Sequence, residues 1–264
     1  MESESEVEQC RAFIEDMKKR TVASNNKYLT LDREFVLYPE VFNPETSAEL
    51  CQFINKSFYK LATEEAAKKH QQESIDFLEV GCGAGYIAIS IALLSEKCHV
   101  WATDINEAAV ENAKANAKLH GVENRVHVVL ASVFDHEEIT GKKFDMIYWN
   151  HPSGGHGTKA GTEIEPILRG IVDPGYQSLR NYLSRGGELL KESGRLVVAF
   201  SFSFGSKEKF TDITKETGWS FKVIGETKFF LEIDGKLTKQ FGNILELIKD
   251  WKVNEKKELS ARAV

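Results

Sequence analysis

Apolar residues recur along the chain with two different periods, and the change from one to the other near Ile75 divides it. Before that point Val7, Cys10, Phe13, Ile14 and Met17 have helical spacing, which predicts a short amphipathic helix over Val7–Lys19. A connector holding Tyr38-Pro39 and Asn43-Pro44 leads into a long helix over Thr46–His70, apolar at Leu50, Phe53, Ile54, Phe58 and Leu61. From Ile75 short apolar runs alternate with helical stretches. The order is strand Ile75–Val80, helix Tyr86–Leu94, strand His99–Thr103, helix Glu107–His120, strand Val126–Leu130 and strand Phe144–Trp149. A glycine-rich loop through Gly161, a helical stretch Tyr176–Lys191, a strand Arg195–Phe202 and a helix Lys207–Thr217 follow. Two extended segments, Phe221–Ile233 and Asn243–Trp251, end the pattern, with Asp234-Gly235 marking a turn between them.

This alternation predicts an α/β fold. Right-handed βαβ units build a mostly parallel Rossmann-like sheet with helices on both faces and an antiparallel C-terminal closure. The boundaries follow from the same pattern: a helical cap over 1–70, the α/β domain over 71–253 and a tail over 254–264. With 264 residues, 42% hydrophobic and 28% charged, the chain can bury one core of ordinary size. Its formal net charge of -6 lacks the basic footprint of a nucleic-acid binder. The short basic runs Lys18-Lys19-Arg20 and Lys256-Lys257 sit beside acids and read as solvated faces. Cys10, Cys51, Cys82 and Cys98 are scattered without zinc-like spacing, so no disulfide framework or metal site is expected. The acidic, polar N-terminus is unlike a secretory signal and no apolar run reaches membrane-spanning length, which points to a soluble, cytoplasmic protein with no membrane partner.

The sharpest chemical signal is Phe77–Tyr86, where an apolar strand runs into Gly81, Gly83 and Gly85 and then into a helix. Glycines there let the backbone turn tightly and approach a ligand closely. The Gly-x-Gly-x-Gly spacing differs from the Gly-x-Gly-x-x-Gly of dinucleotide enzymes and favours a nucleoside without a pyrophosphate. A nicotinamide enzyme is the more distant alternative. The next strand ends in Asp104, where a carboxylate can accept both ribose hydroxyls through strong charge-assisted bonds. The competing role for Asp104 is capping the helix that begins near Asn106, and the two are compatible.

Glu79–Gly85 and Ala102–Asn106 resemble the first and second motifs of class I methyltransferases, which use S-adenosylmethionine. That resemblance implies a cofactor site in which Gly81, Gly83 and Gly85 line the methionine end, Asp104 the ribose, Ile105 the adenine face, and Ser132 with Val133 the adenine edge. It also assigns Glu79 and Asn150 to the cofactor. Ser132 departs from the Asp that many such enzymes carry at its place. Within the superfamily the order of pieces over Tyr38–Phe202 is similar to the amino-methyltransferases of the Asn-Pro-Pro-Tyr type, including the release-factor glutamine methyltransferases. Asn43–Thr46 resembles their Pro-x-Thr motif, which brings Thr46 to the cofactor. Asp145–Ser153 occupies the place of Asn-Pro-Pro-Tyr, and the stretch from Glu165-Pro166 to Leu196 resembles the approach to the fifth strand.

In enzymes of that type the asparagine carbonyl and a backbone carbonyl orient the acceptor amine, so catalysis rests on positioning and preorganised dipoles and needs no metal. Here Asn150 and Pro152 keep the pattern, whereas His151 replaces the first proline and Ser153 the aromatic. The flat wall behind the acceptor must come from Trp149, Tyr148 or Phe204, or be absent. His151 has two readings, a general base or a solvated or backbone-bonded loop histidine; His156 is a weaker candidate of the same kind. Gly154, Gly155, Gly157 and Gly161 suggest a lid over the acceptor or an ordinary surface loop. Phe200–Phe204 alternates like a strand with one apolar face.

The expectation is a methyltransferase acting on nitrogen, with a small-molecule acceptor favoured. A protein glutamine or lysine comes next, and RNA is disfavoured by the charge and the missing aromatic. The non-enzymatic alternative is a methyltransferase-like scaffold whose altered loop has lost catalysis.

Overall fold

The computed structural model describes residues 26–69, 73–155, 157–233 and 236–249. The predicted helix Val7–Lys19, His156, the Asp234-Gly235 turn and the 254–264 tail lie outside the described residues. Strands β1 (Lys27–Thr30) and β2 (Arg33–Val36) form a hairpin that the periodicity did not reveal. Its two-residue turn, Leu31-Asp32, holds both residues at positive φ without a glycine. After a 3-10 turn at Pro44–Ser47 comes helix α1 (Ala48–Lys68), within the expected span.

The α/β part runs β3 (Ile75–Val80), α2 (Tyr86–Ala92), β4 (Cys98–Asp104), α3 (Glu107–Leu119), β5 (Val126–Leu130), β6 (Phe144–Asn150), α4 (Gln177–Gly186), β7 (Leu190–Phe200), α5 (Lys207–Thr217), β8 (Trp219–Ile233) and β9 (Lys236–Lys249). Most boundaries shift by one or two residues, and the larger differences lie in the second half: β7 begins at Leu190 instead of Arg195 and β9 at Lys236 instead of Asn243. The helix predicted through Lys191 is α-helical only to Gly186; a 3-10 turn over Gly187–Leu189 follows, and the chain then enters β7 at Leu190. The strand predicted through Phe202 stops at Phe200, where a turn closes by bonds from the Phe204 and Gly205 amides to the Ser201 carbonyl.

The sheet has strand order β5-β4-β3-β6-β7-β9-β8. Strands β5, β4, β3, β6 and β7 are parallel neighbours; β9 runs antiparallel to β7 and β8 to β9. This is the mostly parallel sheet with antiparallel closure that the pattern predicts. Successive strand residues serve opposite faces. Phe77, Met146, Tyr148 and Val197 pack under α1, α2 and α3, while Leu78, Ile147, Trp149 and Val198 pack on α4 and α5. Burial on both faces explains why these strands read as continuous apolar runs.

The β1–β2 hairpin docks on α3 through paired amides. Asn116 Oδ1 accepts from the Val36 amide and Asn112 Oδ1 from that of Tyr38, while both Nδ2 groups donate to the Val36 carbonyl. Asn116 also donates to the Ala84 carbonyl in the glycine loop, so one buried side chain ties the hairpin to that loop. Among the described residues no helix is long and apolar enough to cross a membrane, and no cluster of three His, Cys, Asp or Glu is placed to hold a metal. Cys51, Cys82 and Cys98 are buried free thiols.

Candidate active site

Strand order reverses between β3 and β6, and in open α/β sheets ligands settle in the crevice at such a switch point, beyond the strand C-termini. A cavity of about 520 Å³ opens there. Glu79, Gly81, Gly83, Asp104, Ile105, Ser132, Val133, Asn150, His151 and Pro152 all line it, contributed by the ends of four strands. Two expected members stand apart. Gly85 is absent from the lining, and Thr46 has its backbone in the Pro44–Ser47 turn but its side chain outside what the structure describes.

The three glycines are required for different reasons. Gly81, at φ +65°, passes so close to Trp149 that a Cβ would sit 2.9 Å from the indole nitrogen. Gly83, at φ +54°, has only Val41 within 4 Å of a hypothetical Cβ, so the space above it is open cavity. Gly85, at φ +81°, precedes α2, and a Cβ there would press on Ala113 and Ile89 at 3.1 Å. It packs the start of α2 against α3 and is not among the residues that line the crevice.

Asp104 is organised by the loop it faces. One carboxylate oxygen accepts from the Gly83 amide at 2.8 Å and the other from the Asn106 amide at 2.9 Å. Burial pushes its carboxyl above the ordinary range, against the pull of those amides. The capping role falls to Asn106, whose side chain accepts from the Ala108 amide and donates to the Glu40 carbonyl. Ile105 stays 43% exposed, an apolar side chain open at the cavity edge. Val133, a β-branched residue at φ 56°, is held there while its carbonyl accepts from the Thr103 hydroxyl. Such backbone strain persists only where the surroundings fix it. Beneath the loop Glu79 accepts from the Ala88 amide, and burial pushes its carboxyl up to about 8. The Tyr148 hydroxyl lies beside it, buried and without a hydrogen bond of good geometry.

Asn150 ends β6 with an exposed side chain that has no hydrogen-bond partner among the described residues. The residues after it are fixed. His151 is neither solvated nor bonded through its ring to backbone. Its side chain is wholly buried, with Nε2 3.1 Å from Asp173, the ring stacked on Phe200 and edge-on to Trp149. Its Nδ1 is buried without a partner. Asp173 also accepts from the Ser178 and Leu179 amides; burial pulls its pKa up, but His151 and these amides outweigh that and hold it below the ordinary carboxylate range. Ser153 accepts from the Ser201 amide at 2.8 Å, which ties the loop to the end of β7. Trp149 and Phe204 line the cavity and Tyr148 does not, since Tyr148 points to the opposite face of the sheet. Gly154 and Gly155 lie tight against the Ile171 and Asp173 carbonyls, and the Gly154 amide donates to that of Ile171. That part of the glycine-rich loop is packed into place.

A family model described as a methyltransferase domain matches residues 71–246, two thirds of the chain. The chain belongs to the methyltransferase-domain family. The methyltransferase is 27% identical over 226 residues to a bifunctional methyltransferase of Rickettsia typhi, covering 78% of this chain and 42% of that protein. It is 43% identical over 81 residues to the release factor glutamine methyltransferase of Aquifex aeolicus, covering 31% of this chain and 28% of the other. It thus spans less than half the length of these curated relatives. Among solved structures, the YcgJ protein of Bacillus subtilis shares the fold with a TM-score of 0.50 at 12% identity, covering 72% of this chain and 98% of that one. The class is that of S-adenosylmethionine-dependent methyltransferases, and S-adenosylmethionine is its cofactor. The crevice fits that group: an open space above Gly83 that a side chain would fill, an anchored carboxylate at Asp104 and an exposed apolar face at Ile105.

Proposed function

We propose that this methyltransferase methylates the nitrogen of a small-molecule amine. The observation that carries the reading is the free side-chain amide of Asn150, which shares one cavity with the glycine loop and Asp104. In this reading Glu79, Gly81 and Gly83 surround the methionine end, Asp104 accepts the ribose hydroxyls, Ile105 covers the adenine, and Ser132 and Val133 meet its edge. Bound there, S-adenosylmethionine would supply an electrophilic methyl group: the acceptor nitrogen's lone pair would form the N–C bond in line as the S–C bond breaks, with S-adenosylhomocysteine as leaving group and the extra proton on nitrogen passing to solvent.

The protein's part is orientation. The Asn150 carbonyl oxygen accepts a hydrogen bond from the acceptor N–H and turns the nitrogen lone pair toward the methyl group. Pro152 restricts the backbone that follows. Such positioning can supply about 7–11 kcal/mol of the barrier. His151, locked between Asp173 and Phe200, holds the loop in register instead of taking a proton from the acceptor. Trp149 and Phe204 provide the apolar wall that Ser153 no longer offers.

A protein glutamine acceptor is the second reading, favoured by the similarity to the Aquifex aeolicus enzyme. Transfer of labelled methyl from S-adenosylmethionine into cell extract, separated into metabolites, protein and RNA, distinguishes the two. Label in the metabolite fraction is expected. Label confined to protein would establish the second reading, and no label in any fraction would favour a scaffold.

A further inference from the structure

Arg169 sits on the cavity wall, half-buried, in the short helix Pro166–Gly170. Among the described residues that line the cavity it is the one Lys or Arg. The carboxylates there are already engaged: Glu79 by the Ala88 amide, Asp104 by those of Gly83 and Asn106, and Asp173 by His151 and two further amides. The Arg169 guanidinium has no ion-pair or hydrogen-bond partner among the described residues. Elsewhere partly buried cations find theirs, as Arg195 does with Glu65 and Glu246 and Lys191 with Asp76 and Asp145. A half-buried guanidinium left alone loses hydration without compensation, and its planar fork matches a carboxylate or phosphate.

The segment carrying Arg169 is fastened to the acceptor side of the crevice. Gly154 pairs with Val172 in a β-bridge, the Gly154 amide donates to the Ile171 carbonyl, and Leu168 is buried beneath. The glycine loop that faces the cofactor is built instead on β3, α2 and Asp104. We propose that Arg169 anchors an anionic group, carboxylate or phosphate, on the acceptor itself, so that the substrate is an amine with an acidic substituent whose nitrogen faces Asn150. This rests on the assignment of Asn150 to the acceptor. The cavity then recognises both ends of its substrate, the guanidinium taking the anion and the amide carbonyl the N–H.

The test is calorimetric titration of inorganic phosphate, and in parallel acetate, into protein saturated with S-adenosylhomocysteine, using wild type, Arg169→Gln, Arg169→Lys and Asn150→Ala. Saturable binding of at least one anion to wild type is expected, at least tenfold weaker in Arg169→Gln and partly restored in Arg169→Lys. S-adenosylhomocysteine affinity should stay within twofold throughout. Anion binding that is absent from wild type or indifferent to Arg169→Gln would overturn the proposal. So would a tenfold loss of S-adenosylhomocysteine affinity in Arg169→Gln, because the guanidinium would then serve the cofactor's own carboxylate. Asn150→Ala separates the two assignments: it should bind the anion as wild type does, and unchanged methyl transfer by this variant would remove Asn150 from the acceptor while leaving the anion site intact.

Discussion

Replacing Asp104 by alanine should weaken cofactor binding more than any other single change at the nucleoside end. Its carboxylate already accepts the Gly83 and Asn106 amides, one on each oxygen, and each oxygen retains a lone pair for a ribose hydroxyl. Hydrogen bonds to a charged group contribute about 1.5–3 kcal/mol each, and two that share one carboxylate are not additive. A loss of about 2–4 kcal/mol follows, an increase in Kd of about 30- to 1000-fold. Asp104→Asn keeps an acceptor for the Gly83 amide but loses the charge, so it should fall between alanine and wild type. Calorimetric titration of S-adenosylhomocysteine into the three proteins, each first shown to be folded by its melting transition, measures the effect. An affinity of Asp104→Ala within twofold of wild type would refute the reasoning.

Both loop glycines sit at positive φ, so alanine should lower the melting temperature at either, and more at Gly85, where the Cβ also presses on Ala113 and Ile89; only Gly83→Ala, whose Cβ enters open cavity, should in addition lower S-adenosylhomocysteine affinity. Equal melting temperatures for Gly85→Ala and wild type would contradict the packing role. Asp173→Asn removes a carboxylate whose pKa is depressed in the fold; that stabilisation is present above the ordinary pKa of about 3.9 and is lost as pH falls through the lower folded value. Urea unfolding should therefore show the variant less stable than wild type at pH 7, with the gap closing toward acid; a gap that does not depend on pH would count against the assignment.

The parallel core and the glycine loop were legible because strands buried on both faces leave unbroken apolar runs, and because a nucleoside crevice needs glycines where the backbone turns beneath it. What stayed hidden depends on residues distant in sequence. The β1–β2 hairpin has no glycine in its turn and is held by Asn112 and Asn116, more than seventy residues away. His151 reads as a loop histidine until Phe200 and Asp173 close around it. Ser153 looks like a lost aromatic, whereas its hydroxyl fastens the loop to β7. Gly85 belongs to the glycine motif in sequence, and its close packing on Ala113 of the next helix shows only in the fold. Arg169 carried no local signal, since only the fold brings it to the cavity and leaves its guanidinium without a partner.

The central claim is that, of the two roles the resemblance gives Asn150, orienting the acceptor is the one that governs the reaction. Asn150→Ala should therefore lower labelled methyl transfer into the extract fraction that wild type labels by about 100- to 1000-fold, the range seen when one preorganised catalytic hydrogen bond is removed. Its affinity for S-adenosylhomocysteine should stay within twofold of wild type. Transfer at the wild-type rate would contradict the account, and so would a loss of transfer matched by an equal loss of cofactor affinity.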